Sequence, residues 1–173
     1  MTLWTGNYTI IDDANTPSLL SLSYFGFQGN PAVMKATREW VLSSHNRWYH
    51  SGPCAKGIGS SHTPGDMIWQ MALISTAITS DDETEIGGAL QMILNSDCGT
   101  GYMHESFSAV DSCIFTRDYF AWPNSYFAEM IEQLLEQGKL TKAILSLPRH
   151  QCGKKRPPPP PAPMLRTTTD GAR

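Results

Sequence analysis

The chain has no surplus of positive charge, no long apolar run and no closely spaced cysteines, and each absence removes a class of function. Thirteen lysines and arginines stand against 16 acidic residues, a formal net charge of −3. Nucleic acid and acidic membrane surfaces select basic faces, so neither is an expected partner. The one basic cluster, Lys154-Lys155-Arg156, abuts a proline run and reads as solvated tail. No apolar stretch approaches the ~18 residues that a membrane-spanning helix needs. The N-terminus, Met1 to Ile11, has a broken apolar run and no basic n-region, so it does not read as a signal peptide; the compartment stays open. Four cysteines, Cys54, Cys98, Cys113 and Cys152, form no C-x-x-C pair, which argues against a zinc site or a thioredoxin-like motif. They are free thiols or one or two disulfides, and sequence alone does not choose. There is no H-E-x-x-H and no other metal-specifying spacing, and no G-x-S-x-G elbow for a serine nucleophile. No metal or cofactor is expected.

What is present describes a globular chain: 40% hydrophobic and 17% charged over 173 residues, enough to bury a sizeable core. Two regions separate. Residues 1–147 are periodic and mixed, whereas 148–173 are rich in proline, threonine and basic side chains. Pro157 to Pro161 lack the N–H donors of helices and sheet ladders, so that tail is expected to be polyproline II or disordered.

The first region reads as helical. Asn30-Pro31 places an N-cap before a proline at the first helical position, with Val33, Ala36, Trp40 and Val41 at helical spacing. Thr63-Pro64 repeats the start signal ahead of Met67 to Ile78, a run apolar on nearly every face and therefore a buried helix. Ser80 with Glu83 resembles a capping box opening a helix through Leu94, with Ile86, Leu90 and Ile93 on one face. A further helix spans about 123–137 and ends at Gly138, and a short one covers Pro17 to Leu22. No period-two alternation runs beyond Tyr8 to Ile11. The expected class is all-α, with long connections that favour an α/α toroid over a compact bundle.

Three polar clusters stand out. Gly99-Thr100-Gly101-Tyr102-Met103-His104-Glu105-Ser106-Phe107 follows a helix and sets a carboxylate among polar and aromatic neighbours, where it can activate water. The plainer alternative is that Glu105 caps the next element or pairs with Arg117. Asp12-Asp13-Ala14-Asn15 before Thr16-Pro17 is ordinary N-cap chemistry, although two adjacent carboxylates exceed what a cap needs. Cys54 to Thr63 is a poor phosphate loop, because Lys56 precedes the glycines and no G-K-[ST] follows. It suits a polar loop near a sugar. His45 and His50 read as surface or helix-end residues, and the tryptophans as core before sugar-stacking rings.

Together, Asp12-Asp13-Ala14-Asn15-x-Pro17-Ser18-Leu19-Leu20-Ser21-Leu22, Gly57-Ile58-Gly59-Ser60-x-His62-Thr63, Gly99-Thr100-Gly101-x-Met103-His104-Glu105-Ser106-Phe107 and Phe115-Thr116-Arg117-x-x-Phe120-Ala121-Trp122-x-Asn124-Ser125 resemble glycoside hydrolase family 125. Four motifs in the right order over roughly residues 5–137 make the resemblance specific. It implies part of an (α/α)6 barrel and a metal-independent, inverting exo-α-1,6-mannosidase acting on α-mannosyl glycans. Glu105 occupies the place of the family's general base. Asp12, Asp13, His62, His104 and Arg117 fall in matching motifs and are implied substrate-contacting or orienting residues. The family's general acid belongs to a motif upstream of D-D-A-N, and eleven residues precede Asp12 here. The resemblance thus implies a C-terminal portion of the domain without its acid and inactive alone. Asp118-Tyr119 and Pro123 depart from the family pattern. Two non-catalytic alternatives stand beside this reading: a remnant carbohydrate binder, or an adaptor whose Lys155-x-x-Pro158-x-x-Pro161 offers an SH3-type ligand.

Overall fold

The computed structural model describes residues 12–141, 144, 152 and 153. Among the described residues four helices and five short strands follow in the order α1 (Pro31–Val41), β1 (Tyr49–Ser51), β2 (Lys56–Ile58), β3 (Met67–Trp69), α2 (Gln70–Ile78), α3 (Glu83–Leu94), β4 (Ser106–Ser108), β5 (Phe115–Thr116) and α4 (Ala121–Glu136). The strands form two antiparallel sheets, β1-β2 and β3-β4-β5. The class is therefore mixed α and β, and the all-α expectation, with the incomplete toroid built on it, is corrected. The reason is length. Strands of two or three residues are too short to display period-two alternation, for which four or more are needed. Their pairing is also non-local: Met67 to Trp69, read as the start of a helix, pair instead with Ser108 to Ser106.

The helices otherwise follow local chemistry. The Asn30 side chain accepts the amides of Ala32 and Val33, and Pro31 opens α1. Every residue of α2 is buried, as an all-round apolar helix requires. At α3 the cap is Asp82, which accepts the Thr84 amide, while Ser80 Oγ donates to Glu85 Oε2 at 2.5 Å. The capping box is thus displaced by two residues, yet Ile86, Leu90 and Ile93 are buried as their spacing foretold. After α4, Gly138 takes φ +68°, and the amides of Gly138 and Lys139 bond back to Leu135 and Leu134. This is the paired closure that glycine permits past a helix end. Two starts fail. Residues 17–22 form a bend leading into turns, and Thr63-Pro64 lie in a loop where Thr63 Oγ1 accepts the Trp69 indole at 2.9 Å.

α2 is the hub: it packs on both α3 and α4, and buries Met71, Leu73 and Ile74 with Ile86, Ile93, Met130 and Leu134. The two sheets press close where β2 meets β3. A Cβ at Gly59 would lie 2.2 Å from the Met67 carbonyl, so only glycine fits there. The three-stranded sheet lies at the N-terminal end of α2 and holds the two loops of interest, one entering β4 and one leaving β5. Two disulfides, Cys54–Cys152 and Cys98–Cys113, use all four cysteines. Apart from Cys152 and Gly153, the expected tail at 148–173 lies outside the described residues, as does Tyr8 to Ile11.

Candidate active site

Glu105 immediately precedes β4, and Arg117 immediately follows β5. Because β4 and β5 are antiparallel, with Ser106 opposite Thr116, the hairpin returns Arg117 to Glu105. The Glu105 amide donates to the Thr116 carbonyl at 3.3 Å. Its carboxylate accepts Thr116 Oγ1 at 3.2 Å and Arg117 Nε at 3.2 Å, both through Oε2. Thr116 Oγ1 is itself 2.7 Å from Ser106 Oγ. Among the described residues, nothing donates to Oε1. The Glu105 side chain is 13% exposed and that of Arg117 62%, so the carboxylate is recessed behind a guanidinium that reaches solvent. Arg117 adopts φ +54°, an uncommon conformation for a residue with a Cβ, and its guanidinium lies 5.4 Å from the centre of the Phe120 ring.

His104 points the other way, into the protein. It is fully buried, stacked on Phe115 with ring centres 3.6 Å apart and planes within 4°. Nδ1 lies 3.0 Å from the Arg117 carbonyl and Nε2 3.3 Å from that of Asp97. Its amide donates to Gln70 Oε1, while Gln70 Nε2 donates to Ser96 Oγ at 2.7 Å. Burial lowers the His104 pKa against the opposing pull of the two carbonyls. His104 therefore ties the two loops together and fixes the backbone of Arg117. In this geometry both ring nitrogens are engaged by the protein itself.

Asn124, in the first turn of α4, grips the same loop. Its side chain accepts the Met103 amide at 3.1 Å and donates to the Met103 carbonyl at 3.0 Å. The Phe120 amide donates to the Met103 carbonyl at 3.1 Å. The left-handed residues Cys98, Gly99 and Gly101 turn the chain out of α3, and Cys98–Cys113 closes the loop's base.

His62 is exposed, its ring edge-on to Trp69 at 6.1 Å, and Trp69 is edge-on to Phe120 at 6.3 Å. Its imidazole nitrogens bond to no described residue. The ring contacts therefore run from His62 through Trp69 and Phe120 to Arg117. Asp12 and Asp13 belong to the loop that borders this region. Asp12 is buried and accepts the amides of Leu19 at 2.9 Å and Leu20 at 3.3 Å; burial raises its pKa although those amides oppose the shift. It orders the turn. Asp13 accepts Asn15 and, at 3.0 Å, Ser60 Oγ, while the Ala14 amide donates to the Gly59 carbonyl. The D-D-A-N segment is thus bonded to the Gly59-Ser60 loop that leads to His62.

Sequence reasoning assigned no role to Thr116, Gln70 or Asn124. Thr116 and Asn124 sat inside quoted motifs, but neither residue type signals a tether unless its partner is known. Gln70 lay in a run read as apolar helix, where its polarity was the only signal. Among the described residues no group of three or more histidine, cysteine, aspartate or glutamate side chains could hold a metal ion, and no helix is long and apolar enough to cross a membrane.

Residues 4–132 match the family model described as metal-independent alpha-mannosidase (GH125). The Meiotically up-regulated gene 157 protein of Schizosaccharomyces pombe (strain 972 / ATCC 24843) is 45% identical over 134 residues, which cover 76% of this chain and 26% of that protein. A Streptococcus pneumoniae structure is similar at a TM-score of 0.72 and 40% identity, covering 76% of this chain and 31% of that one. It is described as a metal-independent alpha mannosidase in a non-productive complex with alpha-1,6-mannobiose, from a study of the processing of N-linked glycans. The chain spans about a quarter of the curated relative and under a third of the solved one. This match over most of its length makes the chain a member of glycoside hydrolase family 125, the metal-independent alpha-mannosidases.

Proposed function

We propose that this chain contributes the general-base half of an inverting exo-α-1,6-mannosidase that releases terminal mannose from glycans, with Glu105 as the base. The observation that carries the reading is the asymmetry of the Glu105 carboxylate. Thr116 and Arg117 both engage Oε2 and fix the group's orientation, while Oε1 is left for a water proton. Inversion needs a base that deprotonates water on one face of the sugar as a second carboxyl group protonates the leaving oxygen on the other, ~6.5–9.5 Å away. As the glycosidic bond breaks, the electron pair leaves with the aglycone oxygen, water attacks the anomeric carbon, and its proton passes to Oε1. Arg117, which reaches solvent beside the carboxylate, and the exposed His62, linked to it through Trp69 and Phe120, supply donors for sugar hydroxyls.

Neither Asp12 nor Asp13 suits the acid role, since Asp12 accepts two amides of its own turn and Asp13 accepts Asn15 and Ser60. Residues 1–173 alone are therefore proposed to bind mannosides without hydrolysing them. Pairing of all four cysteines supports maturation in an oxidising compartment.

The test is Glu105→Gln in an active protein that joins this segment to the remaining family domain. Glutamine keeps size and an acceptor but takes no proton from water. The expected loss in kcat is ~10²–10⁴-fold with KM little changed. Retention of more than about a tenth of the activity, an order of magnitude above that range, rules out Glu105 as the base.

A further inference from the structure

The Glu105 carboxylate ends a row of two hydroxyls that begins inside the sheet. Ser106, on the middle strand, stands opposite Trp69 on one side and Thr116 on the other, so the three side chains share one face. Ser106 is fully buried there. Its Oγ lies 2.7 Å from Thr116 Oγ1, which lies 3.2 Å from Glu105 Oε2. Among the described residues Ser106 Oγ has no other hydrogen-bond partner.

Proton counting fixes the direction of both bonds. An ionised carboxylate only accepts, so Thr116 spends its one hydroxyl proton on Oε2. Thr116 Oγ1 then accepts from Ser106, whose own proton is spent in turn. The order is Ser106 to Thr116 to Glu105. The reverse order would set a Thr116 lone pair against the carboxylate and leave the buried Ser106 proton without a described acceptor, which burial penalises.

We propose that Ser106 is a positioning residue for the base: through Thr116 it keeps Oε2 supplied with a donor and so reserves Oε1 for the proton that leaves water. This rests on the reading of Glu105 as the base, and it goes beyond that reading by naming what chooses between the two carboxylate oxygens. For Oε2 to take the proton, Thr116 would have to turn its own proton away, and Ser106 with it. Arg117 Nε donates to the same oxygen. The water proton therefore passes to Oε1, while the electron pair of the broken O–H bond remains on the oxygen that bonds the anomeric carbon. In a buried row each donor polarises the next, which strengthens the last bond onto the carboxylate. Ser106 acts only through Thr116 and touches neither sugar nor water.

The test uses the active protein that joins this segment to the remaining family domain, with α-1,6-mannobiose as substrate. Ser106→Ala is expected to lower kcat about two- to tenfold, the worth of one neutral hydrogen bond, with KM little changed. Thr116→Val cuts the link to the carboxylate and should lower kcat about ten- to hundredfold, whereas Thr116→Ser keeps the hydroxyl and should lose no more than about threefold. Ser106→Ala added to Thr116→Val should change kcat by less than about twofold, because the relay is already cut. The control is Ser108→Ala, on the same strand, where the hydroxyl serves Asp66, Val110 and Asp111 and does not reach the carboxylate. It should cost stability and leave kcat in place. Unchanged kcat in Ser106→Ala overturns the inference. So does an equal loss in the Thr116→Val background, or an equal loss in Ser108→Ala. Where alanine prevents folding, neutron diffraction of the deuterated protein decides: the Ser106 deuteron must lie on the line to Thr116 Oγ1 and that of Thr116 on the line to Oε2, and either one turned elsewhere overturns the relay. A silent Ser106→Ala beside a disabling Glu105→Gln sinks the relay alone, whereas an active Glu105→Gln sinks the base reading.

Discussion

Replacing Cys98 and Cys113 together by serine should loosen the Glu105 loop and cost more stability than any single hydrogen bond in it. The bridge closes a segment with a sequence separation of 15 that contains the turn through Gly99 and Gly101, Glu105 and all of β4. On the chain-entropy view, a loop of that size removes about 3 kcal/mol of freedom from the unfolded ensemble. Both half-cystines are buried, at 6% and 5% exposure, so serine adds two hydroxyls that need partners and the cost does not shrink. For a chain of this length about 1 kcal/mol corresponds to about 2–4 °C, so a fall in Tm of about 6–12 °C is expected. Urea unfolding of dilute chain, read by the fluorescence of buried Trp69, gives the free energy. Hydrogen exchange then locates it: the amides of Glu105 and Phe120 should lose protection before those of α2. A loss below about 1 kcal/mol, well under the ~3 kcal/mol expected, would refute the reasoning. It would mean that the Asn124 clamp and the sheet hold the loop without the bridge.

Other contacts carry further expectations. Asn124→Ala removes the paired grip on Met103 and leaves a partly buried peptide short of partners, so a loss of about 1–3 kcal/mol is expected, measured by urea unfolding. Truncation after Gly153 should leave the urea midpoint unchanged, whereas Cys152→Ser should lower stability by about 2–5 kcal/mol, because Cys54–Cys152 spans a separation of 98. Burial lowers the pKa of both His50 and His104, so between those depressed values and 6.5 the unfolded chain binds protons that the folded chain does not. Stability should fall as pH drops from 6.5 through the folded values, and His50→Gln should flatten that slope in urea midpoints measured across the same window. Asp12 acts oppositely and lower. Its raised pKa makes protonation favour the folded state between 3.8 and the raised value, which partly offsets acid unfolding there.

How much was legible in the sequence depended on whether the deciding contact was local. Asn30, the buried face of α3 and the Gly138 stop were readable because each rests on residues within one or two turns. The β3-β4-β5 sheet was not, since Trp69 meets Ser106 across 37 positions of chain and two or three residues carry no periodic signal. That same sheet creates the site. Without it Glu105 and Arg117 are two polar residues on separate loops, and the pairing weighed as the plain alternative has no reason to orient a carboxylate. With it, the ion pair and the proposed base are one arrangement: Thr116 and Arg117 both engage Oε2, and among the described residues nothing donates to Oε1. The histidines divide by the same logic. Both lay in motifs and carried the same expectation, but His104 sits between two carbonyls beneath the hairpin whereas His62 stands free on Trp69. A motif marks which residues belong together; only the strand register tells which of them are buried beneath the hairpin and which reach solvent.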